Sequence, residues 1–253
     1  LVGQVARTGL VEVPMGMTLR QLIFEIGGGM RDGREFKAVQ TGGPSGGCLP
    51  ASALDLPIDY EALTEAGSMM GSGGMIVMDD RTCMVDVARY FLGFLTEESC
   101  GKCTPCREGL KQMLLIYDRL VEGKGRKGDI EAIERLACGM QLGSLCELGK
   151  SAPNPVLSTL KYFRAEYEAH IADLACPAGI CRELTAYEIV EEGCDGCHAC
   201  FKACPVDAIE GTIKELHVIH HDACISCGAC FDVCPTEAIR TFPKVELKNA
   251  EVV

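Results

Sequence analysis

Residues 194–209 read CDGCHACFKACPVDAI, and residues 224–239 read CISCGACFDVCPTEAI. The two stretches follow one pattern and stand thirty residues apart, which marks an internal repeat. A unit so short and so rich in cysteine has little apolar core to rely on, so bound metal must supply much of its folding free energy. The chain holds 17 cysteines. Disulfide scaffolds are usually short, whereas most cysteines here fall in tight C-x-x-C runs, which suit metal ligation better than bridges.

Each stretch spaces its thiols C-x2-C-x2-C-x3-C and places a proline after the last. In a bacterial ferredoxin run of this form, three close thiolates hold three corners of a 4Fe-4S cube and the fourth ligates the other cluster. Carried onto this sequence, Cys194, Cys197, Cys200 and Cys234 hold one cluster, and Cys224, Cys227, Cys230 and Cys204 hold the second. Zinc in both sets is the competing reading, but zinc motifs do not usually combine these spacings twice at a fixed period. His198 reads as an exposed spacer beside its cluster, and His217, His220 and His221 as part of a surface connection.

Working back along the chain, "ESCGKCTPCREG" (98–109) supplies Cys100, Cys103 and Cys106, and "GSLCELG" (143–149) supplies Cys146. Two helical segments separate them, so a helical bundle would return the lone thiol to the loop and make a third 4Fe-4S site. Lys102 and Arg107 would offset cluster charge there or, equally, lie as solvated surface residues.

The flanking textures differ. "LVGQVARTGLVEVPMG" (1–16) has strand character broken by Gly9, and "TLRQLIFEIGGG" (18–29) reads as a helix with Thr18 as N-cap and a stop at Gly27. Its apolar stripe is Leu19, Leu22, Ile23 and Ile26. "FKAVQTGG" (36–43) and "GMIVMD" (74–79) add strands, giving a small α/β unit. From Asp80 to Ala175, four segments (83–95, 107–121, 129–140 and 154–175) place apolar residues three and four apart, which predicts four helices. The last has Asn154 as expected N-cap, Pro155 at the first helical position, and a stripe through Val156, Leu160, Phe163, Tyr167, Ile171 and Leu174. Short connections suggest a bundle.

A net charge of −12 argues against nucleic acid or an anionic membrane surface as partner. No apolar run reaches the length of a membrane span, and the first residues lack the charged region of a signal peptide, so a cytoplasmic protein is expected. With no initiator Met and a strand at the outset, the chain reads as part of a longer polypeptide.

Together, "ESCGKCTPCREG", "SLCELG" and "PNPVLSTLKYF" resemble the C-terminal half of the NADH-oxidising flavoprotein subunit of respiratory complex I and its soluble relatives. The added two-cluster domain and "CPAGIC" more closely resemble the β subunit of NAD-linked electron-bifurcating and NADP-reducing hydrogenases. The resemblance implies an α+β multi-domain chain: a β-grasp SLBB domain at 1–79, a four-helix-bundle 4Fe-4S domain at 80–175, a metal-binding hinge or linker at 176–193, and a two-cluster bacterial-type ferredoxin domain at 194–253. It also implies FMN and NAD(H) on a part preceding Leu1, with ferredoxin, a small 2Fe-2S subunit and a hydrogenase or other catalytic subunit as partners, coupled by electron bifurcation. A formate dehydrogenase partner, or a non-catalytic carrier or scaffold, remains open. No G-x-G-x-x-G follows a strand; "GGMRDG" (28–33) and "TGGPSGGC" (41–48) read as turns, though the second could border a flavin site lying elsewhere. No catalytic triad or paired carboxylate stands out.

Three clusters leave Cys48, Cys83, Cys138, Cys176 and Cys181. In "HIADLACPAGIC" (170–181), Cys176 and Cys181 flank a turn with Pro177 and Gly179, and His170 lies one and a half helical turns upstream. Two thiolates and an imidazole suit a tetrahedral zinc; a further iron–sulfur centre and free thiols are the alternatives. Cys83 is the expected fourth ligand, because the last helix would end beside the start of the first, with Cys138 and Cys48 as alternatives. Residues 182–193 would then be a short connection pivoting on this metal knot.

Overall fold

The computed structural model describes residues 1–250, arranged around three main hydrophobic cores. In the first, strands β1 (Val2–Gly3), β2 (Phe36–Thr41), β3 (Gly47–Pro50) and β4 (Met75–Asp79) form a sheet in the order β1-β4-β2-β3. The β1–β4 pair is parallel and the others antiparallel. Leu19, Leu22 and Ile23 from the segment after Thr18 pack on Val39, Leu49 and Val77 from the sheet. Thr18 caps that segment as expected: the Gln21 N–H donates to Thr18 Oγ1 at 3.2 Å, and Gln21 Oε1 accepts the Thr18 N–H at 3.1 Å. The segment winds as a π-helix over Gln21–Ile26 and ends at Gly27.

The strand expected over residues 1–16 is much shorter. Only Val2–Gly3 pairs in the sheet, and Val5 adds an isolated bridge to Met30. Beyond it, Pro14 cannot donate to a ladder and Gly16 sits at φ 89°, so the chain is turned away from pairing. Strand β3 and helix α1 (Tyr60–Glu65) are additions, both too short to show a period. Asp59 caps α1, accepting the Ala62 N–H at 2.7 Å.

The second core joins helices α2 (Met84–Glu98), α3 (Thr104–Val121), α4 (Asp129–Gly143), a short α5 (Glu147–Ser151) and α6 (Asn154–Glu168), which continues as a π-helical turn over Ala169–Asp173. Asn154 is not the N-cap of α6. Pro153 holds that place, and the Asn154 amide donates to Ser45 O at 3.1 Å instead. Pro155 still sits in the first turn, where a missing N–H costs nothing. The helix kinks at Phe163 (φ −130°), whose ring packs on Ala38, Cys48, Met78 and Met84 and so ties the bundle to the sheet. Within the bundle a buried relay runs from Tyr117 Oη to Tyr167 Oη (2.8 Å), on to Thr159 Oγ1 (2.6 Å) and to Pro155 O (2.8 Å).

The third core is small: Tyr187, Ile209, Ile219 and Ile239 with cysteines around them. Strand β5 (Thr185–Ile189) pairs antiparallel with β8 (Ile239–Pro243), and β6 (Ile209–Glu210) with β7 (Val218–Ile219). Helices α7 (Ala199–Ala203) and α8 (Ala229–Asp232) follow equivalent cysteines of the two repeats. The connection expected at 182–193 therefore contains a paired strand. Only residues 182–184 lie between Cys181 and β5. Among the described residues no helix is long and apolar enough to cross a membrane.

Candidate metal centres

His170 is fully buried on the last turn of the α6 extension, and one ligand atom from each of Cys83, His170, Cys176 and Cys181 lies within 4.8 Å of the others. His170 Nε2 is 3.5 Å from Cys83 Sγ and 3.4 Å from Cys181 Sγ, and these two sulfurs are 3.8 Å apart. His170 Nδ1 donates to Glu166 O at 2.7 Å, which leaves Nε2 with its lone pair turned to the sulfurs. Cys83 is brought there by the start of α2, as the antiparallel helix ends require. Cys48 and Cys138 are not in the group; burial pushes the Cys48 thiol up to about 12, and Cys138 lies exposed on α4.

In this cluster Cys176 is held well below the ordinary thiol range, first by the hydrogen bond from Cys181 and then by that from Cys83. Both donors are raised in turn by their bonds to Cys176. Three thiols sharing protons around an imidazole lone pair form a donor set that one cation would satisfy in place of those protons. Three soft sulfurs and one ring nitrogen of fixed tautomer fit tetrahedral zinc.

Composition alone did not reveal the support behind this site. The Glu166 carboxylate accepts the Met84 N–H at 3.0 Å, capping α2 from another helix, and pairs with Lys37 Nζ at 2.7 Å. Lys37 also donates to Thr82 O at 2.6 Å. One glutamate thus joins β2, the first turn of α2 and the sulfur-facing histidine.

The ferredoxin-type thiols fall into two cavities. One is walled by Cys194, Cys197, Cys200 and Cys234, the other by Cys204, Cys224, Cys227 and Cys230. Each cavity thus draws its fourth thiol from the opposite run. Backbone N–H groups already face sulfur in the second set, Ala208 to Cys204 Sγ at 3.2 Å and Ser226 to Cys224 Sγ at 3.4 Å. Burial raises Cys230 to about 12, so a positive metal core is needed to hold it as thiolate. His198 is not a free spacer: its Nδ1 lies 2.8 Å from His217 Nε2, and His217 is buried. His220 instead bonds Glu210 Oε2 at 2.8 Å.

For the remaining set, Cys100 and Cys103 lie on the loop before α3, Cys106 in its first turn and Cys146 ahead of α5. The Cys106 thiol is raised by burial and then by Cys103, Cys146 and Cys100, which places all four thiols in one electrostatic neighbourhood. Cys103 is lowered, chiefly by a hydrogen bond from the Leu145 backbone. Arg107 donates to Gly101 O at 2.7 Å and so fixes the loop beside the thiols. Four thiols gathered at the start of α3 and of α5 suit a cluster with a cubane core.

Three family models match the chain: an SLBB domain over residues 1–49, the NADH-ubiquinone oxidoreductase-F iron-sulfur binding region over 86–170, and a 4Fe-4S dicluster domain over 185–241. The NADP-reducing hydrogenase subunit HndC of Solidesulfovibrio fructosivorans is 52% identical over 217 residues, which cover 86% of this chain and 44% of that protein. The chain corresponds to the C-terminal region of NADH-quinone oxidoreductase F and HndC-like subunits. An F-type subunit of the NADH-quinone oxidoreductase of Rhizobium meliloti is 46% identical over 177 residues, covering 70% of this chain and 42% of its own length. The chain therefore spans less than half of these F-type and HndC-like relatives. Among solved structures, an NAD+-reducing NiFe hydrogenase in the H2-reduced state aligns with a TM-score of 0.60 at 34% identity, over 67% of this chain and 28% of that one. Two of the three matched models are thus iron–sulfur binding regions, and together they take in the cysteine runs at 100–146 and 194–234.

Proposed function

We propose that the chain is the electron-transfer part of a cytoplasmic, flavin-dependent NAD(P)-linked oxidoreductase, with three 4Fe-4S sites and one structural zinc. The observation that carries this reading is the pair of four-thiol cavities, each completed by a cysteine from the opposite run. When bound, a 4Fe-4S cluster accepts and returns single electrons without moving atoms. The chain's own residues hold that chemistry in place. Cys100, Cys103, Cys106 and Cys146 set one site in the loops of the helical domain, and the two repeats set the others. Ile209, Ile219 and Ile239 exclude water between the repeats, and Cys83, His170, Cys176 and Cys181 fasten the end of the helical domain.

Within this reading, the domains divide near residues 79, 175 and 193. FMN and NAD(H) belong to a flavoprotein part of the same enzyme, and a small 2Fe-2S subunit, a hydrogenase-type catalytic subunit and soluble ferredoxin exchange electrons with it. Electron bifurcation between NADH and ferredoxin is the activity proposed for the whole. The test is anaerobic metal analysis with EPR of the reduced protein. About twelve irons, one zinc and three cubane signals per chain are expected. In the complete enzyme, removing residues 190–253 should spare NADH–dye reduction and abolish ferredoxin-dependent turnover. Equal loss of both activities, or iron for fewer than three cubes, would count against the proposal.

A further inference from the structure

The thirty-residue repeat extends beyond its cysteines. Tyr187 and His217 each stand seven residues before the first cysteine of their run. Each also reaches across to the opposite run. Tyr187 Oη lies 2.9 Å from where a Cβ on Gly228 would stand, and His217 Nε2 lies 2.8 Å from His198 Nδ1. Positions 198 and 228 are the same place in the two runs. One plan is thus filled by tyrosine and glycine on one side and by two histidines on the other. His198 takes φ 67° where Gly228 takes 80°, a conformation that costs a residue with a Cβ about 1–2 kcal/mol. Its ring is held by His217 and stacked on Phe201 at 4.3 Å.

The two halves also face different surroundings. On the second-run side, Tyr187 Oη donates to Gly179 O of the metal loop at 3.1 Å. Arg81, just after β4, lies 4.1 Å from the Phe231 ring centre and pairs with Asp232 at 3.3 Å. Of their counterparts, Phe201 is exposed where Phe231 is half-buried, while Lys202 is exposed as Asp232 is. Of the eight thiols in the two sets, only Cys197 is exposed, while its counterpart Cys227 is half-buried. Exposed Glu191, Glu192, Asp195 and Glu215 outnumber Lys202 and Lys214 around this half.

We propose that the first-run half is the docking end for an external one-electron carrier protein with a basic contact face, and that the second-run half is the fixed end, clamped by Tyr187 and Arg81. The inference rests on the ferredoxin-type reading above and gives it a direction. Exchange at the docking end moves one electron between the carrier's redox centre and the group held by Cys194, Cys197, Cys200 and Cys234. One is oxidised as the other is reduced, and no bond forms or breaks.

The cluster-loaded chain is tested with cytochrome c as a lysine-rich carrier. Hydrogen exchange should show protection over residues 195–203 and 211–217, fading with added salt, and no change over 225–233. In EPR, a soluble dysprosium chelate should speed relaxation of the signal that shifts in His198→Gly more than that of its sister. Arg81→Gln should raise exchange at 229–233 and leave 199–203 as in the parent. Protection over 225–233, no protection anywhere, or a stronger dysprosium effect on the signal untouched by His198→Gly overturns the inference while leaving the cluster reading intact. Absence of both ferredoxin-type signals, with iron for only one cube, overturns the cluster reading and the inference together.

Discussion

At the scale of single residues, His170 owes its place as a ligand candidate to a bond made on its far side. Because Nδ1 is committed to Glu166 O, the nitrogen facing the sulfurs is the one able to bind metal. His170→Ala should lose zinc to a chelator that leaves the parent loaded, whereas Cys138→Ser should retain it; metal analysis after dialysis reads the difference. Ligands must be deprotonated, so zinc should also leave as pH falls, with proton uptake. Tyr187 gives a second case. Burial pushes its hydroxyl up to about 12, above the ordinary value of about 10. A raised folded-state value means the stabilisation is intact below about pH 10 and is lost as pH climbs through about 12. Tyr187→Phe should therefore flatten the fall of Tm over that alkaline range. The grouping of Cys83, His170, Cys176 and Cys181 was legible in the sequence because cysteine arithmetic left a thiol pair beside a helical histidine. Its support was not, since nothing in "FKAVQT" tells which lysine meets which glutamate. The pairing of His198 with His217 was missed, although the repeat offset places His217 opposite Tyr187 and so carried a signal.

At the scale of elements, α6 is held by a directed chain of hydroxyls. Tyr167 sits in its middle, accepting from Tyr117 and donating to Thr159. Tyr167→Phe leaves the buried Tyr117 hydroxyl without its acceptor and should cost about 1–3 kcal/mol, while Tyr117→Phe removes only the outermost donor and should cost about 0.5–1.5 kcal/mol. Urea unfolding of the two variants gives the order. The four long helices were readable because their apolar residues recur at the helical period over several turns. Strand β3 and helix α1 span four and six residues, too few for a period to show. The start of α6 misled for a different reason. Asn154 is a good cap by type, but tertiary structure offered its amide the Ser45 carbonyl.

At the scale of the whole molecule, the sheet and the helical domain are joined by a nearly buried ion pair. Lys37 and Glu166 keep only 16% and 10% of their side-chain surface exposed. Removing one partner strands a buried charge, and such losses cost about 3–5 kcal/mol. Lys37→Met should lower Tm and speed zinc release together, although Lys37 touches no sulfur. Unchanged chelation kinetics in that variant would separate the metal site from the sheet. The sequence divided the chain into three textures; the SLBB model (1–49) and the F-type iron-sulfur model (86–170) fall inside the first two, whereas the dicluster model (185–241) begins nine residues before the third. It could not show that β5 ties the connection to β8, because strand pairing between residues fifty apart leaves no local trace.

The spread of the proposed zinc-site residues along the chain has a consequence for biogenesis. Cys83 and Cys181 stand 98 positions apart, and Cys181 is the last of the four to be made. A growing chain can finish its sheet and all its long helices on the ribosome while this knot is still open. Packing of α2 against α6 already sets Cys83 beside His170, so only the short loop from His170 to Cys181 is left for the cation's binding energy to close when the last thiol emerges. In a zinc-starved cell, translation would proceed normally and yield a chain whose helices are formed but whose final fastening is missing.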